Sequence, residues 1–341
     1  MDNTPGRPLR AYDPSGHWRD FSTDELVGLK LNYYQGWSCG LGVENLFINP
    51  DGDVYGASCK VGGQLGNIYD QFSIPSAWAK CSMKVCSCGS DLFIPKARSL
   101  DQASLLLRTQ DLPTQPQLKV DQLADMAALE RTHASSVKQI YWEIGRRCNY
   151  DCSYCWPWIH NNHERHKSLD ELLTATKKIQ SQFIGDAPCN FIISGGEPTA
   201  NGALLDWCRY INSCGYHLSM HSNGSRRPDY YEELINYGDL NLSAHMEFWA
   251  PEKFLAVVDA VTQVKVAKRN RGVGHLEVKL MMKPGTTDTT LAFEDQLRAI
   301  PNFTDWCTWA IVPIRDGNRG DQIMEGYSNS DFELFGDRNG R

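Results

Sequence analysis

Cys148, Cys152 and Cys155 form a C-x3-C-x2-C loop directly after the strand-like run 139–144. Three thiolates on so short a loop can each ligate one iron of a cubane iron–sulfur cluster, leaving the fourth iron without a protein ligand and open to chemistry. A zinc knot is the plainer use of such thiolates. Tetrahedral structural zinc takes four ligands, however, and no fourth cysteine is adjacent. His160, His163 and His166 follow closely enough to offer a nitrogen, to contact a substrate or shield the cluster, or simply to share one exposed helix face at their three-residue spacing. Further on, Asn190-Phe-Ile-Ile-Ser-Gly195-Gly196-Glu197-Pro198-Thr199 reads as a short buried strand ending in a glycine turn. Glycines let a backbone approach a ligand, and a carboxylate offers acceptors to an ammonium group.

The chain has twelve cysteines, and a second group, Cys39, Cys59, Cys81, Cys86 and Cys88, lies in the first hundred residues. The Asp51-Gly52 turn between strand-like runs 46–49 and 54–57 indicates a hairpin that brings Cys39 and Cys59 together. Cysteines from the following loop can complete a four-thiolate site, for a closed iron–sulfur cluster or for structural zinc. Cys189, Cys208, Cys214 and Cys307 sit among apolar neighbours and read as small buried hydrophobes.

The elements that must position these residues follow from periodicity. From about Val137 onward, short apolar runs alternate with helix-period segments, the pattern of a parallel sheet with crossover helices. Strands are expected at 139–144, 190–194, 217–221, 240–245, 276–282 and 308–313. Helices are expected near 169–184, 203–213, 229–237, 252–268 and 289–299. Phe254, Val257, Val258, Val261 and Val264 give the fourth helix an apolar face for the sheet. Ser222 and Asn223 follow the third strand, where Asn-Gly also reads as a turn. Ser243, His245 and Glu247 alternate along or just beyond the fourth strand, and Lys279 and Met281 along the fifth, so each set shares a face. A buried, satisfied histidine and a solvated lysine are the plain alternatives for His245 and Lys279.

The cysteine loop, with aromatic Tyr154 before its third cysteine, resembles the signature of the radical S-adenosylmethionine (radical SAM) superfamily. Gly195-Gly196-Glu197 resembles that family's GGE motif, which binds the methionine amino group of SAM. The resemblance implies an α/β fold, a partial (β/α)6 TIM-like barrel over residues 137–315, with chemistry at the carboxyl ends of the strands. It implies a [4Fe-4S] cluster on Cys148, Cys152 and Cys155, with SAM chelating the open iron. Tyr154, Gly195, Gly196, Glu197, Ser222, Asn223, Ser243, His245 and Lys279 become candidate cofactor contacts. One electron, from a flavodoxin- or ferredoxin-type donor, would then cleave SAM to a 5′-deoxyadenosyl radical that abstracts hydrogen from a C–H bond.

The amino-terminal cysteines, with the Gly-turn hairpin and Leu65-Gly66-Asn67-Ile68, are similar to SPASM and twitch domains, which hold auxiliary clusters. This implies a small Cys-rich α+β auxiliary-cluster domain over 1–100. It would carry one auxiliary [4Fe-4S] cluster on Cys39, Cys59, Cys86 and Cys88, with Cys81 able to replace one of them. Two departures stand out: the module precedes the barrel, and five cysteines are too few for the two clusters of a complete SPASM domain. Residues 101–136 read as a linker with short helices, and 316–341 as a tail that lies over the barrel or is partly mobile.

Composition bounds the remainder. Apolar residues make up 41% and charged residues 22%, ordinary globular values that exclude disorder, collagen and membrane bundles. The sequence near the start lacks an apolar segment of signal or anchor type, so the expectation is a soluble, cytoplasmic protein without membrane contact. A net charge of −7 gives no global reason to cover polyanions. Arg226-Arg227-Pro-Asp-Tyr-Tyr and Lys265 to Arg271 gather cations that suit nucleic acid, or equally a helix C-terminus. LSAHMEFWAPEKF and VKLMMKPG are similar to twitch-type radical SAM proteins of bacteriophages. Some of these serve thymidine hypermodification, rearranging a glycyl group on the base from a C–N to a C–C linkage. The leading expectation is thus an isomerase-type enzyme acting on modified thymidine in DNA. Peptide (RiPP) maturation is the second, although no winged-helix peptide-recognition domain stands at the amino terminus. A non-catalytic iron–sulfur or zinc protein is the third.

Overall fold

The computed structural model describes residues 9–21, 23–86, 89–102, 126–131, 137–316 and 322–337. They divide into two compact units. One takes the described residues up to Ile48, with Gly52–Ile140 and Lys177–Cys189; the other takes Asn49–Asp51, Tyr141–Thr176 and the residues from Asn190 onward.

The alternation expected from periodicity is present as β1 (Lys138–Glu143), α1 (Leu169–Ile179), β2 (Cys189–Ser194), α2 (Leu204–Ser213), β3 (His217–Ser222) and α3 (Pro228–Leu234), followed by β4 (Gly238–His245), α4 (Pro251–Ala267), β5 (Leu276–Met282), α5 (Thr287–Arg298) and β6 (Thr308–Pro313). A turn of π-helix over Gln180–Ile184 extends α1 to the expected length. Strand order follows chain order. From β2 to β6 every pairing is parallel, with Ser222 opposite Leu242, His245 opposite Met281 and Lys279 opposite Ala310. The fold is therefore α/β, with a singly wound parallel sheet.

Alternation along the strands gives the sheet two unlike faces. Ile140, Trp142, Phe191, Ile193, Leu218, Met220, Leu240, Leu242, Val278 and Leu280 are all buried. Trp207 of α2 meets Trp142 and Phe191 edge-on, at 5.4 and 6.2 Å between ring centres. Its indole N–H donates to Thr176 Oγ1 of α1 at 2.9 Å. On α4, Phe254, Val257, Val258 and Val261 are buried as expected, whereas Val264 is half-buried. The alternate strand positions are polar: Ser219 and Ser243, His221 and His245, Asp239, Asn241, Glu277 and Lys279. At the end of α4, buried Lys265 donates to Asn270 Oδ1 at 2.6 Å and to the Gly274 carbonyl at 2.8 Å. That cation closes a helix terminus.

The first unit carries a six-stranded antiparallel sheet in the order Trp18–Phe21, Leu9–Tyr12, Ala128–Arg131, Lys96–Ala97, Ser38–Cys39, Ala79–Lys80. The expected hairpin forms from Asn45–Ile48 and Asp53–Tyr55, and Gln64–Asn67 adds a third strand. Gly52 turns it at φ 88°, where a Cβ would fall 2.5 Å from the Tyr69 ring.

One expectation needs correction. Within the expected helical linker, Ala128–Arg131 is a strand, because pairing with Leu9–Tyr12 outweighs the local helix preference of Ala, Leu, Glu and Arg. Most of the rest of 101–136 lies outside the described residues. In the carboxyl-terminal segment, Gly336–Asp337 pairs with β6, and the Tyr327 hydroxyl donates to the Met282 carbonyl at 2.5 Å. The described part of that tail thus covers the sheet edge. No described helix is long and apolar enough to cross a membrane.

Trp207→Ala is expected to cost about 3–5 kcal/mol through the cavity left between α1, α2 and the sheet. Urea unfolding should show it as a lower midpoint, with Trp207→Phe falling between the two.

Candidate active site

The three mid-chain cysteines lie on the loop between β1 and α1, each half-buried. Cys155 N–H donates to the Cys152 carbonyl at 3.0 Å, and Tyr150 N–H points at Cys148 Sγ at 3.4 Å. Burial pushes all three thiols up to about 11, so each is protonated at neutral pH unless a metal takes it.

The base of this loop is joined to the glycine turn backbone to backbone. Gly196 N–H donates to the Gly145 carbonyl and Glu197 N–H to the Arg147 carbonyl, both at 2.9 Å. A Cβ on Gly195, at φ 129°, would fall 2.4 Å from Gly145 O, and one on Gly196 2.4 Å from the carbonyls of Arg146 and Arg147. The sequence reading gave these glycines to ligand approach; the surface they first approach is the cysteine loop.

Glu197 is buried, and its carboxylate is already engaged. Oε1 accepts from Thr199 N–H (3.0 Å), Thr199 Oγ1 (2.6 Å) and Ser222 Oγ (2.8 Å), while Oε2 accepts from Asn223 N–H (2.7 Å). Burial pushes this carboxyl up, and these four donors pull it the other way. Asn223 Nδ2 donates to Asn149 Oδ1 of the cysteine loop at 3.0 Å, and Tyr231 Oη lies 2.7 Å from Ser222 Oγ. Ser222 and Asn223 therefore brace Glu197 and the loop. Arg226 belongs to the same brace, donating to the carbonyls of Thr199 and Ala200.

From the ends of β4 and β5, His245 stacks on Tyr154 at 17° between planes, with Nδ1 2.9 Å from the phenol oxygen. Burial pushes the imidazole down to about 4. Glu247 accepts from Ser153 and from Lys283. Ser243 lies opposite Lys279 in register, and the anion that meets Lys279 is Glu277, at 3.1 Å. Of the expected contacts, Tyr154, Gly195, Gly196, Glu197, Ser222, Asn223 and His245 gather at the cysteine loop, whereas Ser243 and Lys279 belong to the polar face of the sheet. His160 Nε2 lies 2.8 Å from the Tyr150 carbonyl, inside the loop. Asn149, Ser153, Thr199, Tyr231 and Lys283 were missed by sequence reasoning, and only Thr199, inside GGEPT, carried a signal. Two stacked aromatic pairs flank the loop, Tyr150 with Phe248 and Trp156 with Trp158.

In the first unit, Cys39, Cys59, Cys81 and Cys86 line one cavity of about 160 Å³ together with Asp91 and Lys96. The Asp91 carboxylate accepts from Ser58 N–H and Cys59 N–H, fixing the Cys59 turn. Buried Lys96, opposite Cys39 in register, donates to the carbonyls of Asp91 and Ile94. Burial pushes Cys39 up to about 11, with Lys96 pulling it back, and Cys59 up to about 12. The Tyr34 hydroxyl is buried without a hydrogen-bond partner among the described residues. Cys81, kept in reserve by the sequence reading, lines the cavity; Cys88 lies outside the described residues. Among the described residues no three His, Cys, Asp or Glu side chains stand close enough to hold a single metal ion. A cluster takes one thiolate per iron and does not need them to meet at one point.

Gly196→Ala should break the joint between loop and turn, so iron bound per chain after anaerobic reconstitution should fall well below that of the native sequence. Gly202→Ala, whose Cβ meets nothing within 4 Å, should leave it unchanged. His245 adds a pH signature, because below its ordinary value of 6.5 the unfolded chain binds a proton that the folded one refuses. Stability should drain away as pH falls from about 6.5 toward 4. His245→Phe should make that limb shallower in thermal melts of the metal-free protein, the remainder belonging to His221, which burial also pushes down.

Residues 142–288, which hold both motifs, match the family model described as the Radical SAM superfamily. No curated protein matches the chain. Among solved structures, Streptococcus suis SuiB bound to its precursor peptide SuiA aligns at 12% identity with a TM-score of 0.42, over 57% of this chain and 43% of that one. SuiB bound to S-adenosylmethionine aligns at 12% identity and a TM-score of 0.42, over 57% and 44%. The chain spans less than half the length of these neighbours. The family match covers less than half of this chain and falls on the residues that carry both motifs.

Proposed function

We propose that the chain is a radical SAM enzyme whose Cys148, Cys152 and Cys155 hold a [4Fe-4S] cluster at the carboxyl ends of a partial (β/α)6 barrel. The observation that carries this is the joint between the cysteine loop and the Gly195-Gly196-Glu197 turn, which unites the domain's two motifs in one cradle. Half-buried thiols with no acidic carboxylate among the loop's own ligands suit iron, and loading them must release protons. When bound, the cluster and SAM supply the radical that takes hydrogen from a C–H bond.

The chain's own residues bind, orient and exclude. The backbone of Gly195 and Gly196 frames the SAM side of the cradle. Glu197 braces it, and its Oε2, with a single donor, keeps acceptor capacity for an ammonium group. Tyr154, held by His245, forms a wall, with Ser222 and Asn223 beside it. Ser243 and Lys279, on the polar face of β4 and β5, orient the substrate. Fixing donor and acceptor groups in this way is the protein's contribution to a reaction whose difficult step belongs to the cofactor.

The first hundred residues form the auxiliary module in this reading, and 137–315 the catalytic domain. Four thiols around one cavity, a buried cation beside them and an unpartnered Tyr34 hydroxyl support a single auxiliary [4Fe-4S] cluster on Cys39, Cys59, Cys81 and Cys86. A flavodoxin- or ferredoxin-type protein supplies the electron. For substrate, the leading reading is a glycyl-modified thymidine in DNA, rearranged from a C–N to a C–C linkage. It is supported by the aromatic pairs around the loop, which suit a flipped base. Of the cations at the end of α4, Lys265 is consumed inside the protein, while Arg269 and Arg271 are exposed. A peptide is the other substrate class.

Anaerobically reconstituted, reduced protein should release 5′-deoxyadenosine from SAM, and Cys152→Ala should abolish release while leaving iron in the first unit. Stimulation by glycyl-modified thymidine DNA over a peptide panel fixes the substrate class, and the reverse result moves it to peptides. No release from protein of verified cluster content overturns the catalytic reading.

A further inference from the structure

We propose that Glu247 is the positioning residue of the cysteine loop and that Lys283 is its counter-charge, so that the loop is clamped by a carboxylate without the cluster facing a bare negative charge. The proposal rests on the radical SAM reading. Ser153 lies between the second and third cysteines, and Glu247 holds it twice: Oε2 accepts its backbone N–H at 2.8 Å and Oε1 its hydroxyl at 2.7 Å. Glu247 follows the end of β4 by two residues, and Lys283 follows β5 by one. The Lys283 ammonium donates to Glu247 Oε1 at 2.5 Å. The Lys283 backbone N–H donates in turn to Thr286 Oγ1, at the start of α5. Two strand ends and a helix start thus converge on one serine of the loop.

The opposite side of the loop is fixed differently, by backbone bonds to the glycine turn, and Tyr154 is fixed by His245. From the side of β4 and β5 the C-x2-C segment is therefore restrained at two residues, Tyr154 by His245 and Ser153, through both its amide and its hydroxyl, by Glu247. Its chemistry has a cost. A carboxylate near an iron–sulfur cluster opposes the arrival of an electron, and at this partly sheltered site, where the Glu247 side chain is 17% exposed, water screens it incompletely. Lys283 cancels that field. A neutral acceptor would avoid the problem, but glutamine presents a single carbonyl oxygen and cannot accept from the Ser153 amide and hydroxyl on two separate oxygens.

The test uses the reconstituted full chain, following the cluster signal that SAM perturbs so that an auxiliary cluster is not read by mistake. Lys283→Met should keep the iron content of the native sequence and move the midpoint potential of that cluster to a more negative value. Glu247→Gln should move it the other way, and the double variant should return close to the starting value, since the two charges act as a pair. Glu247→Ala, with its far-ultraviolet circular dichroism unchanged, should lose iron to a chelator several-fold faster than the native sequence, with Glu247→Gln intermediate. Unchanged potentials in both single variants, together with a native chelation rate for Glu247→Ala, would overturn the proposal. Failure of the underlying reading looks different: the unsubstituted protein would then take up no cluster that responds to SAM.

Discussion

Everything in the second unit depends on a place where two backbones come closer than side chains permit. Gly195 and Gly196 press against the carbonyls of Gly145, Arg146 and Arg147, and the two hydrogen bonds formed there set the position of the cysteine loop. A methyl group at either glycine would occupy space already filled by a carbonyl oxygen. The two motifs, forty residues apart in sequence, are therefore halves of one object. The carboxylate of Glu197 extends the joint sideways to β3 through Ser222 and Asn223, and Asn149 returns the connection to the loop. Hydrogen bonds that share one acceptor group in a buried setting reinforce one another, which suits a rigid brace.

The two cysteine sites share one electrostatic condition. Burial raises Cys39 and Cys59 in the first and Cys148, Cys152 and Cys155 in the second, and Lys96 offsets this only in part at Cys39. A metal bound at either group would displace protons, and the metal-free thiols are inert rather than reactive.

Much of this was legible in the sequence, for identifiable reasons. The strands announced themselves because β-branched and aromatic runs alternate with helix-period segments, and the fourth helix because Phe254, Val257, Val258 and Val261 repeat at helical spacing. The two motifs were legible because their chemistry is local: thiols within eight residues, glycines beside a carboxylate. What escaped was set by tertiary partners. Nothing near Ser153 indicates that Glu247 will hold it, and nothing near Glu197 indicates that Ser222 and Asn223 join Thr199 in filling its oxygens. Ala128–Arg131 reads as helix and becomes a strand because Leu9–Tyr12 lies alongside. The role of the two glycines was read as ligand approach because the surface they meet comes from another strand.

The singly wound order of the sheet also bears on how such a site is made. Because each strand lies beside the one before it in the chain, a ribosome delivers the sheet in the order in which it pairs, and few long loops need to close out of turn. The cradle draws on the ends of successive strands: cysteines after β1, the glycine turn after β2, Ser222 and Asn223 at β3, His245 and Glu247 at β4, Lys283 after β5. A nascent chain that has reached only β3 already exhibits all three thiols, held on one side and free on the other. The last of these contacts waits for the fifth strand, so the cysteine loop stays open on that side until Lys283 has been made.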